Sequence, residues 1–115
     1  MAIAEYASGT QAVDNTTEWS MTTDTAGPDP DNTDGVYQIF LDLNDMVAGD
    51  QLLVRIYEMV DGTNQRLVFS SYLYGVQPTP NWVSPTLVLT SSWDATLLML
   101  SATTCTVDWS IRQVT

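Results

Sequence analysis

Over most of this chain the large apolar side chains fall on every second residue, and that spacing admits strands and little else. Cys105, Val107, Trp109 and Ile111 alternate with Thr106, Asp108, Ser110 and Arg112. Tyr37, Ile39, Leu41 and Leu43 alternate with Val36, Gln38, Phe40 and Asp42. A helix buries positions three and four apart, whereas a pleated strand sends neighbours to opposite faces. β-branched and aromatic residues, which suit a pleated surface, dominate the same stretches. The chain is predicted to be all-β.

Turn chemistry divides it. Residues 44–50 close on Gly49-Asp50, and 51–60 then reads as a strand with Leu52, Val54 and Ile56 on one face and Leu53, Arg55, Tyr57 and Met59 on the other. Asp61-Gly62 signals a hairpin into 65–74, where Leu67, Phe69 and Leu73 face together. Pro78 and Pro80 make 75–80 a connection, and Pro85 assigns 82–90 to a sheet edge because proline lacks the ladder donor. Strand patterning resumes over 93–100 and again from Cys105. Residues 1–23 are weakly patterned, as short strands at 3–8 and 11–23 or as an arm. Residues 24–35, rich in Asp, Pro and Gly, read as an acidic surface loop. About six to eight strands with turns at this spacing predict an antiparallel β-sandwich or small barrel, jelly-roll topology being one eight-stranded option. A length of 115 residues makes this a single domain, 1–115.

Hydrophobic residues at 44% against 15% charged supply a core without enough repulsion for disorder. Fourteen carboxylates against three arginines, with no lysine or histidine, give a net charge of −11. That charge repels phosphate backbones and anionic headgroups, so neither nucleic acid nor a membrane is expected as a partner. Arg55, Arg66 and Arg112 are expected in ion pairs, with Arg66 also placed to serve a partner.

The missing histidine and lysine remove triad nucleophile systems, imidazole ligands and Schiff bases together. Carboxylates remain: Asp42, Glu58, Asp94 and Asp108 lie in predicted strands, but nothing in their spacing says that any two converge. No catalytic residue, no cofactor and no enzymatic activity are expected. Asp29, Asp31 and Asp34 are calcium candidates only by their row of oxygens. Gly35 falls one place late for a calcium loop, and no glutamate occupies the twelfth position. Cys105, the sole cysteine, excludes an internal disulfide and reads as a small buried apolar residue. Trp19, Trp82, Trp93 and Trp109 could fill a core, anchor an interface or form a sugar-stacking platform. The opening residues lack a secretion pattern, and apolar runs such as Leu97–Leu100 fall far short of the roughly 20 residues needed to cross a bilayer, which predicts a soluble chain made in the cytoplasm.

Two strands carry more apolar surface than a sandwich needs. Residues 52–60 are apolar on both faces apart from Arg55 and Glu58, and 95–100 set Ala95, Leu97 and Met99 against Leu98 and Leu100. Each large side chain left wet forgoes about 1.5–3 kcal/mol of burial. Either the chain's own loops cover the second faces, or a second subunit does. Interface candidates are Val36, Phe40, Leu53, Tyr57, Met59, Leu98 and Leu100.

Residues 34–50, Leu53–Glu58, Trp82–Leu87, Trp93–Leu97 and Trp109–Val114 together resemble small all-β virion structural proteins of tailed bacteriophages, many of them marine. The resemblance spans about residues 34–114. It implies a capsid decoration or cement protein on the shell exterior, bound to the major capsid protein as a homo-oligomer, a trimer being favoured. A head-completion or tail-associated component, or a carbohydrate-binding module on the virion, are the alternatives.

Overall fold

The period-two patterning becomes ten antiparallel strands in the computed structural model, which describes residues 2–115. They are β1 (Ile3–Val13), β2 (Trp19–Ser20), β3 (Thr25–Ala26), β4 (Gly35–Asp42), β5 (Gln51–Glu58), β6 (Arg66–Tyr74), β7 (Asn81–Val83), β8 (Leu87–Leu89), β9 (Asp94–Met99) and β10 (Cys105–Val114). The pairing is nested: β1 with β10, β2 with β9, β4 with β7 and β8, β5 with β6. Two further pairings, β10 with β4 and β9 with β5, join these into two sheets, ordered β1-β10-β4-β7/β8 and β3-β2-β9-β5-β6. With β7 and β8 counted as one broken strand and β3 as an appendage, this is the eight-stranded jelly-roll order. Both sheets keep free edges, so the expected alternative of a closed barrel is replaced by an open sandwich.

The inner faces are those the alternation predicts. Tyr37, Ile39, Leu41, Leu52, Val54, Ile56, Ala95, Leu97, Met99, Cys105, Val107, Trp109 and Ile111 are all buried. Tyr6, Tyr37 and Trp93 form an aromatic cluster at one end, with Tyr6 edge-on to Tyr37 at 5.1 Å and Tyr37 tilted on Trp93 at 4.6 Å. Burial also pushes the Tyr37 hydroxyl, which donates to the Thr33 carbonyl at 2.7 Å, up to about 12.

Several boundaries differ from expectation, each for a tertiary reason. Within the weakly patterned start, 3–13 form a single strand with a bulge at Tyr6, because β10 supplies ladder partners from Val114 opposite Ile3 to Cys105 opposite Val13, and Trp19–Ser20 form the separate β2. The 82–90 strand is split at Ser84-Pro85. There the Ser84 hydroxyl accepts the Ile39 amide at 2.9 Å, standing in for a backbone acceptor. Leu67 does not face inward with Phe69 and Leu73: a register shift beside Val68 turns it outward, and it is half exposed. The acidic stretch 24–35 is not a free loop. It contains β3, and Asp31 bridges to Trp93 by reciprocal backbone hydrogen bonds of 2.9 Å.

Gly9 sits opposite Trp109, whose ring occupies the space a side chain would take: a Cβ there would lie 2.5 Å from Cζ2. Gly9→Val is expected to displace the indole, costing about 2 kcal/mol and lowering the thermal midpoint by roughly 10 °C. An unchanged melting curve would show that the ring has room to move.

Candidate interaction surface

Three cross-strand rows run over the outer face of the β1-β10-β4 sheet. Ile3, Val114, Val36 and Val88 lie opposite one another across all its strands, with Ile3 66% and Val88 72% exposed. The middle row holds Glu5, Arg112 and Gln38, and beyond it Phe40 faces Val83. Arg112 does not form the expected ion pair. Its guanidinium lies 3.8 Å from the Phe40 ring centre and partly covers it. Of the other arginines, Arg55 contacts Glu18 at 3.3 Å and Arg66 contacts Asp61 at 3.5 Å on the surface.

The outer face of the other sheet is partly covered by the chain itself. Segment 18–31 folds across its β2–β9 side, where Glu18 accepts hydrogen bonds from Arg55, Tyr57 and Thr96. Asp94 is wholly buried, receiving the Ser20 and Thr22 hydroxyls at 2.9 and 2.7 Å and the Asp29 amide at 2.7 Å. Burial raises the Asp94 carboxyl above its usual range, against the lowering effect of these donors.

Among the interface candidates, Leu53 is 4% exposed and therefore has no free surface to offer a partner, packed beside its cross-strand neighbours Leu98 and Tyr72. Val36, Phe40, Tyr57, Met59 and Leu98 are half-buried, and Leu100 is exposed. The structure splits them between two outer faces: Val36 and Phe40 on one, the rest on or beside the other.

Strand β6 was not among these candidates, yet it holds the densest exposed apolar surface. Leu67, Val68, Tyr72 and Tyr74 are all about half exposed, and the two tyrosine rings stack at 5.6 Å. A signal for it lies in the charge distribution: residues 67–93 contain no charged side chain in a chain of net charge −11. These residues supply β6, β7 and β8. The contact between β1 and β9 aligns the two sheets so that β6 and β7/β8 share the opposite flank.

The candidate chemistry is dispersed. Asp29 accepts the Thr23 and Thr25 hydroxyls, and Asp31 accepts the Tyr6 hydroxyl and the Thr33 amide. Among the described residues no three His, Cys, Asp or Glu side chains converge on a metal position. Of the strand carboxylates only Asp42 and Asp108 meet, as cross-strand neighbours lining an open hollow of about 180 Å³ with Asn44, Asp45 and Thr106. Glu58 instead accepts the Thr90 amide and hydroxyl. Trp93 and Trp109 are buried and donate to the Thr33 and Met21 carbonyls, while Trp19 and Trp82 are half-buried. The tryptophans therefore build no open stacking platform. Cys105 is buried as expected, and desolvation with the nearby Asp45 and Asp50 charges pushes its thiol up to about 11. A maleimide reagent at pH 8 is expected to label it only as the chain unfolds. Rapid labelling of the folded protein would contradict this placement.

Comparison with protein-family models, with curated proteins and with solved structures finds no match.

Proposed function

We propose that this chain is a virion structural protein of a tailed bacteriophage, a capsid decoration or cement protein that acts by adhesion. The observation carrying the proposal is the apolar row Ile3–Val114–Val36–Val88 on the outer face of one sheet, exposed at both ends and half-buried at Val114 and Val36. A monomer rarely leaves such a contiguous row wet, and a partner surface gives it somewhere to go. The eight-stranded jelly roll is an architecture found in viral capsid domains and in lectins, which is support by fold analogy alone. The charge of −11 favours the shell exterior over a surface lining packaged DNA. In this arrangement the valine row seats on the major capsid protein, and homo-oligomers of the chain bridge neighbouring capsid subunits.

Co-sedimentation with undecorated phage shells tests the proposal. Binding that saturates at many copies per shell, and is lost on Val88→Lys while the fold persists, is the expected result. Saturation at a few copies identifies a head-completion or tail component instead, and absence of binding overturns the proposal. The stacked, exposed Tyr72–Tyr74 pair favours one second reading, glycan binding on the virion surface. In that case, glycan titration shifts the aromatic resonances of those two residues.

A further inference from the structure

Four strand edges border the two sheets, and three are blunted. β3 has two residues, β7/β8 is broken at Ser84-Pro85, and β1 presents a bulge at Tyr6 followed by an edge of small or polar exposed residues, Ser8, Thr10 and Ala12. Short length, proline and bulges are the features that keep an edge from pairing with another chain. The β6 edge differs. Beyond its own bulge at Val68 it runs from Phe69 to Tyr74 without proline, charge or a further irregularity, and it exposes Tyr72 and Tyr74.

An occupant of this edge must bring a strand with free backbone groups and few charges. A second copy of this chain brings both. Two molecules of charge −11 repel wherever their carboxylates meet, and residues 67–93 form the one long segment that lets them approach without such a meeting. Antiparallel pairing of a strand with its own copy is also self-complementary about a two-fold axis.

We infer that β6 pairs with β6 of a second copy, joining two five-stranded sheets into one and burying the Tyr72–Tyr74 stack against its symmetry mate. The assembly is an isologous dimer, in place of the trimer that the resemblance implies. It stands independently of shell binding, which uses the valine row on the other sheet.

Sedimentation equilibrium of the full chain, with hydrogen exchange read at low and high protein concentration, tests the inference. The expected result is a dimer in which the outward-pointing, alternate amides of Phe69–Tyr74, those not bonded to β5, gain protection with concentration. Added salt should strengthen association, because it screens the repulsion between the acidic bodies. Tyr72→Lys should weaken self-association by about thirtyfold or more, as loss of a central aromatic anchor does, with its thermal midpoint near that of the wild type. Val88→Lys, on the opposite face, should leave the dimer intact and so separates failure here from failure of shell binding. A monomer, a trimer, or a dimer untouched by Tyr72→Lys overturns the inference.

Discussion

Trp93→Ala is expected to be the most damaging single substitution in the core, costing about 4 kcal/mol and lowering the thermal midpoint by roughly 20 °C. The indole is fully buried between Tyr6 and Tyr37, at ring-centre distances of 5.9 and 4.6 Å, and its Nε1 donates to the Thr33 carbonyl at 2.9 Å. Truncation opens a large cavity and removes one of the two donors to that carbonyl, leaving only the Tyr37 hydroxyl. Its backbone also bridges to Asp31, so loosening it frees the 24–35 segment from the sandwich end. Small domains have about 5–15 kcal/mol of stability in total, so the loss consumes a large share of it. Trp93→Phe keeps most of the packing and should lose only a fraction as much. Equilibrium urea unfolding of both variants provides the check, and equal losses would place the cost in the hydrogen bond rather than the cavity.

Asp94→Ala is expected to cost about 3 kcal/mol, although it removes a buried carboxylate that burial disfavours. Four donors point at that carboxylate: the Ser20 and Thr22 hydroxyls and the Asp29 and Ala95 amides. The hydroxyls can turn to other acceptors, but the two amides cannot, and a buried unpaired donor costs about 1–3 kcal/mol. Asp94→Asn should fall between wild type and alanine, because its NH₂ group must confront one of the amides. The folded-state pKa of Asp94 lies above the usual 3.8, so its carboxyl holds a proton more tightly folded than unfolded. Its contribution is then complete below pH 3.8 and declines as pH rises through the raised value. The stability gap between wild type and Asp94→Asn should narrow as pH increases across that window. A gap that widens instead would mean the donors, not desolvation, control the carboxyl. The comparison must be made as a difference, because Asp14 and Asp61 act in the opposite sense. Backbone amides hold both carboxyls below their ordinary value, so their contributions are lost as pH falls.

The residues themselves account for the strand class and the buried faces. Alternation is a local property, and a face apolar at Tyr37, Ile39 and Leu41 must be buried whatever sheet it joins. Pro85 likewise forces an edge wherever its strand lies, since it can never donate to a ladder. The order of strands was not legible, because pairing of β1 with β10 joins opposite ends of the chain and no local pattern records it. The bulge beside Val68 was hidden for a related reason: period-two patterning assumes an unbroken pleat, and one extra residue turns Leu67 from core to surface. Leu53 shows the same limit from the other side, with an outer face covered by neighbours that only the fold brings near. Local alternation therefore determined which side chains must leave water, while long-range pairing decided which of the remaining apolar residues stayed outside, because burial on a second face depends on what the rest of the chain lays over it.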